Sequence, residues 1–287
     1  MRPRGATVEL PRVFLGVEAV NAGVLTPGQL RGPKVRRVLR GVYAPAFVPH
    51  NHELRCEAAG LVVRNGGQVT GASMATVLGV PLARPADAVQ IVVPDDGGQE
   101  RYSEIAFRRV SGPLEPGQPW RTATLASPCR MAFDLAARVD HPEAVARLDA
   151  VARAGLVTRT QLQAWLVDRH DNDVRDVRAA VARIDPRAGS APESKCRVYL
   201  LDAGIEVTPQ HDVVHLGRTV ARVDLAVVVS RLAIEYDGGW HVLREQLEAD
   251  RRRLNALHEA GWDVVHVTAE LLRRPRSLVD TVRRALR

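Results

Sequence analysis

Residues 222–241 read RVDLAVVVSRLAIEYDGGWH. Apolar, largely β-branched runs flank the polar pair Ser230-Arg231, which is the pattern of a β-hairpin. Side chains alternate faces along a strand, so Asp224 shares a face with Ala226 and Val228, and Glu235 with Asp237. A two-residue turn at Ser230-Arg231 sets Val229 opposite Leu232, Ala226 opposite Glu235 and Asp224 opposite Asp237. All three carboxylates then project from one face of an otherwise apolar hairpin. Like charges so placed repel one another. Either arginine partners or a divalent cation must offset that cost. Magnesium and manganese prefer carboxylate oxygens, and a water activated by such a metal hydrolyses phosphodiesters. The pattern therefore predicts a metal site on Asp224, Glu235 and Asp237, with a structural carboxylate–arginine network as the alternative.

The flanking sequence places this hairpin in an α/β domain. Upstream, PESKCRVYLLDAGI (192–205) predicts a helix entered through Pro192 and ended by Gly204. IEVTPQHDV (205–213) reads as extended. Downstream, LREQLEADRRRLNALHEAG (243–261) puts Leu243, Leu247, Leu254 and Leu257 on one helical stripe. Asp250 interrupts that stripe, either as a positioning carboxylate or in a bridge to arginine. Arg251, Arg252 and Arg253 point elsewhere, towards phosphate or water. WDVVHVT (262–268) predicts a buried strand, parallel to the second hairpin arm through the helical crossover. His241 follows Gly238 and Gly239, which allow a tight path near a ligand. It is a candidate general base or phosphate contact, with a purely structural role as the alternative.

Composition restricts the remaining possibilities. Of 287 residues, 46% are apolar and 25% charged, as in ordinary globular proteins. No apolar run approaches the roughly 20 residues of a membrane helix. The start, MRPRGATVELPRVF, carries no signal-peptide segment. A cytoplasmic protein without a membrane partner is expected. Cys56, Cys129 and Cys196 are scattered and read as small buried hydrophobes. The formal charge is +7, and it is concentrated: residues 1–50 hold eight basic and two acidic side chains. Residues 51–189 hold 17 of each, and 190–287 hold 15 basic and 14 acidic. A basic amino-terminal segment suits phosphate contacts, with Arg36, Arg37 and Arg40 as candidates, unless it is merely a solvated face.

That segment reads as a short helix, a break at Asn21-Ala22-Gly23, and a second helix opened by Thr26-Pro27. The basic extended run VRRVLRGVYAP (35–45) follows, giving the order of a winged helix-turn-helix. LRCEAAGLVVR (54–64) reads as a helix, VQIVVP (89–94) and IAFRRV (105–110) as strands, and 128–154 as two helical patterns. Phe133, Leu135, Val145, Leu148 and Val151 are expected in the core. His50, His52, His141 and His170 lie in polar or proline-adjacent stretches and are expected at the surface. DPRAGSAP (185–192) reads as the main linker. Three domains are expected: a winged-helix-like segment over 1–50, an α+β domain over 51–187, and an α/β domain with a mixed sheet over 188–287.

Two longer stretches, VDLAVVVSRLAIEYDGGWH (223–241) and EADRRRLNALHEAGWDVVHVTAELL (248–272), carry a resemblance. Residues 190–287 resemble the very-short-patch-repair (Vsr) endonuclease-like domains of the PD-(D/E)XK superfamily. The shared features are an aspartate before an apolar strand, an E-x-D-G turn, a following histidine, a D-x-x-R and a G-W-x-V strand. The resemblance implies a restriction-endonuclease-like fold and a magnesium- or manganese-dependent cut in DNA. It assigns Asp224, Glu235 and Asp237 to the metal, and adds His241, the helix residue Asp250, and Glu193 of the upstream helix. Asp237 stands where the superfamily has lysine. Vsr-like members commonly lack that lysine, which leaves His241 as the candidate base. Residues 14–185 resemble, less specifically, antitoxins of the abortive-infection AbiEi family, through GVLTPGQLRG, RRVLRGVYAP, TGASMATVLGVPL and TATLASPCRMAFDLA.

Two functions follow. One is a DNA endonuclease positioned on DNA by its amino-terminal regions. The other is a DNA-binding antitoxin or regulator, with a partner toxin protein and an inactive nuclease-like domain.

Overall fold

The structure, a computed structural model, describes residues 9–64, 66–95, 102–238 and 244–287, and for 244–250 the backbone alone. Two compact units divide the chain, 1–135 and 136–287.

The first unit opens with β1 (Phe14–Leu15), α1 (Gly16–Asn21), β2 (Val35–Leu39) and β3 (Val42–Pro45). These strands form a three-stranded sheet ordered β1-β3-β2, so the basic run is a hairpin. The helix expected after Thr26-Pro27 is a single 3-10 turn, Gln29–Arg31. Its start signal is real. The Thr26 hydroxyl accepts from the Gln29 N–H (3.2 Å), and the Gln29 side chain accepts from the Thr26 N–H (2.7 Å). Gly32-Pro33 then stops it, because a residue before proline is pushed out of the helical region.

Next come α2 (His52–Gly60), β4 (Gln68–Val69), α3 (Gly71–Val77), β5 (Val89–Pro94), β6 (Ile105–Val110), β7 (Gln118–Trp120), β8 (Ala123–Leu125) and α4 (Pro128–Ala136). Their strands form a five-stranded sheet ordered β6-β5-β4-β8-β7. β5 and β6 coincide with the two expected strands. His52, expected at the surface, is buried instead, its Nε2 2.8 Å from the Ser73 hydroxyl. It opens α2 on the side that packs inward, and burial lowers its pKa.

The second unit begins with four helices, α5 (His141–Arg153), α6 (Arg159–Leu166), α7 (Val174–Ala182) and α8 (Ala191–Asp202). Then come β9 (Thr208–His215), β10 (Arg218–Val227), β11 (Leu232–Asp237), α9 (Arg244–Glu259), β12 (Asp263–Thr268), α10 (Ala269–Leu272) and α11 (Pro275–Ala285). The sheet order is β12-β11-β10-β9, with β11 and β12 parallel and the other pairs antiparallel. This is the mixed sheet and crossover expected from the sequence. One face packs Leu225, Val227, Leu232 and Ile234 against Cys196, Leu200, Leu278 and Val282 of α8 and α11. The other sets Ala226 and Ala233 against Leu257 and Trp262, where small side chains let α9 come close. The five expected core residues of α4 and α5 are all buried, as are Cys56 and Cys196, while Cys129 is half-buried. Among the described residues no helix is long and apolar enough to cross a membrane.

The expected linker DPRAGSAP lies inside this unit and separates no compact bodies. Asp149 of α5, fully buried, is the reason. It accepts from the Asp185 N–H (2.8 Å) at the start of that stretch and from the Arg197 guanidinium (2.8 Å) on α8 beyond it. Lys195 adds an ion pair to Glu143 at 2.6 Å. Loop composition alone does not reveal that its backbone is spoken for. Removing one partner of a buried pair leaves the other charge uncompensated, so Asp149→Ala should cost about 3–5 kcal/mol. Urea unfolding of the full chain measures this.

Candidate functional site

The hairpin of β10 and β11 sets the geometry. Its pairs are Val227 with Leu232, Ala226 with Ala233, and Leu225 with Ile234. Continued by one pair, this register puts Asp224 opposite Glu235, so the expected pairings of Asp224 with Asp237 and Ala226 with Glu235 are corrected. The connection is four residues long, Val228–Arg231, rather than two. Val228–Ser230 form a 3-10 turn and Arg231 adopts a left-handed conformation (φ 50°). The offset is two residues, which preserves side-chain parity, whereas a slip of one would have turned every carboxylate to the other face. Glu235 reaches α9 through Arg253, on the face where Ala233 packs against Leu257; along β10, Val223 packs in the same cluster as Ala226 while Leu225 packs on the opposite face, so strict alternation is interrupted around Asp224.

Each carboxylate has a distinct environment. Asp224 is half-buried, and one of its oxygens accepts the Tyr236 N–H at 2.9 Å. Its pKa lies above the usual aspartate value, first because burial strips water from it and then because Glu193 and Glu235 repel its charge. The Tyr236 N–H and Arg253 act in the opposite sense. Glu235 is 8% exposed. Its Oε2 accepts from Arg253 of α9 at 2.6 Å, while its Oε1 is buried with no hydrogen-bond partner among the described residues. Asp237 is exposed at the carboxyl end of β11, beside Thr268 of β12.

Glu193 is buried at the third position of α8 and closes its amino terminus. It accepts from the Gly189 N–H (2.9 Å), the Ser190 hydroxyl (2.7 Å) and the Gln210 amide (2.9 Å). Ser190-Ala-Pro-Glu193 is a capping-box signature, and that signal was available in the sequence. Glu193 is nevertheless electrostatically part of the cluster. Burial first, and then the charges of Asp224 and Glu193, push the Cys196 thiol up to about 12.

The remaining expected residues divide. His241 lies outside the described residues. Asp250 is on α9, with its side chain outside the description. Arg251 and Arg252 are exposed on α9. Arg253, expected to point away, instead turns inward to Glu235, and its second nitrogen donates to the Arg222 carbonyl at 2.6 Å. Its three-residue step from Asp250 was the available hint, since such residues share a helix face. In the first unit, Arg37 and Arg40 are exposed, but Arg36 donates to the Ala46 carbonyl (2.7 Å) and the Val48 carbonyl. Arg36 thereby clamps the chain leaving the hairpin. Among the described residues, no three Asp, Glu, His or Cys side chains converge closely enough to hold a metal as they stand.

No family model matches the chain. It is 28% identical over 271 residues to uncharacterized protein MT2308 of Mycobacterium tuberculosis (strain CDC 1551 / Oshkosh), covering 90% of this chain and 94% of that one. The same figures hold for uncharacterized protein Rv2248 of Mycobacterium tuberculosis (strain ATCC 25618 / H37Rv). Among solved structures, the homing endonuclease I-Bth0305I catalytic domain is similar at 23% identity and a TM-score of 0.27, over 32% of this chain and 90% of that chain.

The raised pKa of Asp224 fixes the sign of a stability effect. A carboxyl that holds its proton more tightly when folded weakens the fold as pH rises from its unfolded pKa to its folded one. Above both values the penalty is complete, and below both it is absent. Asp224→Asn keeps an acceptor for the Tyr236 N–H and removes the charge. Thermal melts of the metal-free protein should show a higher Tm for the variant at pH 7, with the gain shrinking as pH falls towards 4.

Proposed function

We propose that the chain is a divalent-metal-dependent DNA endonuclease whose hydrolytic centre is built on Asp224 and Glu235. The observation that carries this reading is the Oε1 atom of Glu235, buried without a hydrogen-bond partner among the described residues, across from a second, partly desolvated carboxyl. Such an oxygen is costly to bury and needs a reason. A cation satisfies it, and an all-oxygen donor set suits magnesium or manganese. Bound there, the ion would supply Lewis-acid polarisation of a phosphodiester and lower the pKa of a water.

The chain's own groups have definite parts in this reading. Asp224, held by the Tyr236 N–H, and Glu235 stand on neighbouring strands and would offer the first oxygens. Asp237, exposed two residues further on, would have to move towards them to complete the ligand set, since the three do not converge as they stand. Glu193 holds the start of α8 and adds negative potential that favours a dication. Arg251 and Arg252 on α9 are exposed for backbone phosphates, as are Arg37 and Arg40 on the hairpin of the first unit. His241, outside the described residues, enters as candidate base through its place after Gly238 and Gly239 and through the resemblance.

A second reading is a DNA-binding antitoxin or regulator with an inactive nuclease-like domain and a partner toxin. One observation favours it: Arg253 already neutralises Glu235, as an arginine network does.

A cleavage assay separates the two. Supercoiled plasmid, linear duplex, single-stranded and mismatched DNA are incubated with the full chain in magnesium or manganese. At least one substrate should be cut, and Asp224→Asn should reduce cutting to background while leaving gel-shift binding without metal intact. Undiminished cutting by the variant would remove Asp224 from the centre. Binding without cleavage of any substrate in either metal would favour the regulator.

A further inference from the structure

Arg253 and Glu235 form an ion pair of unequal partners. The glutamate side chain is 10% exposed and the arginine side chain 38%. Glu235 extends from the middle of a packed sheet and has nowhere to take its charge. Arg253 reaches it from α9, with the rest of its fork on a neutral carbonyl of β10. The arginine can return to water at little desolvation cost, and the glutamate cannot. Around the pair the charge is unbalanced. Burial first, and then the charges of Glu193 and Glu235, raise the Asp224 carboxyl, while Arg253 opposes them with a single positive charge. Among the described residues Glu235 keeps one oxygen unsatisfied even with Arg253 in place. A monocation on a long, half-exposed side chain thus occupies a position where a dication would satisfy more oxygens and more charge.

We infer that Arg253 is an internal counter-cation that a divalent ion displaces from Glu235. This deepens the metal-dependent reading above and rests on it. In the metal-free protein Arg253 keeps Glu235 neutralised and the sheet closed against α9. Binding of the ion exchanges one positive charge for two and returns the guanidinium to the solvent side of α9, beside Arg251 and Arg252. Arg253 is then a positioning residue acting through Glu235. It sets how much free metal the site requires before it fills, so the site is tuned by competition within the chain as well as by its ligands.

The test is Mn2+ binding to the full chain, followed by calorimetry and by the electron paramagnetic resonance signal of free Mn2+. Arg253→Met removes the charge and keeps the length. Arg253→Gln also removes the charge but keeps a donor for the Arg222 carbonyl, and serves if the first variant does not fold. Both should bind Mn2+ about tenfold more tightly than the unaltered chain, the scale on which groups behind metal ligands act. Their metal-free Tm should be lower, and saturating Mn2+ should raise it by more than it raises that of the unaltered chain. Binding by the variants alone would be the same result in stronger form. If the unaltered chain binds Mn2+ and the variants bind equally or more weakly, Arg253 holds Glu235 for the ion rather than competing with it. That outcome overturns the inference and leaves the metal site standing. If neither the unaltered chain nor either variant binds Mn2+, the site reading and the inference fall together.

Discussion

A carboxylate taken out of water must be neutralised where it lies, and the second unit is arranged around three that are. Asp149 is answered by Arg197 and by a backbone N–H, and that answer joins the helices of residues 141–182 to the sheet domain. Glu193 is answered by a helix terminus, a hydroxyl and an amide, and it anchors α8 against β9. Glu235 is only half answered, by Arg253 on one oxygen. In the first two every carboxylate oxygen is answered, although the Arg197 Nε is buried without a partner among the described residues, and they read as architecture. The third is open, and it is the one that lies across from Asp224. The same contrast holds in the first unit. There Asp134 is buried but surrounded by Arg108, Arg130 and the Thr70 hydroxyl, which makes it a structural hub rather than a site.

How much of this could be read from the residues depends on the range of the interaction. Alternation along a strand is local, so the hairpin itself and the separation of its two packed faces at Leu225, Ala226, Ala233 and Ile234 were legible. The turn length was not, because Val228 and Val229 look like strand residues although they are exposed in the connection. Nor was the break in alternation around Asp224, since Val223 and Ala226 pack in one cluster. The parallel crossover through α9 was legible from the spacing of two apolar runs around an amphipathic helix. Helix ends carried by glycine and proline were legible at Gly204. At Thr26 the start signal misled, because Gly32-Pro33 cut the helix to one turn.

Long-range polar pairing left no comparable trace. Nothing local to Arg197 announces Asp149, and nothing local to Arg36 announces the carbonyls of Ala46 and Val48. Arg253 lies in a run of three arginines, where the one that turns inward is chosen by the helix's angle to the sheet. His52 was misassigned for a related reason: its neighbours are polar, and its partner Ser73 lies on another helix. The DPRAGSAP stretch has linker composition, but its first N–H is held by a residue of α5.

The parallel pairing of β11 with β12 also bears on how the second unit assembles. β9, β10 and β11 meet through short connections, whereas β12 can add only after the chain has returned along α9. Contacts between distant segments carry a larger closure entropy and form later. Until that return, Glu235 stands on an uncovered sheet face, where water solvates its charge at no cost. The helix that completes the crossover is the one that brings Arg253. Covering the carboxylate and supplying its counter-charge are therefore a single late event, so the folding chain avoids passing through a state in which Glu235 is buried and unopposed.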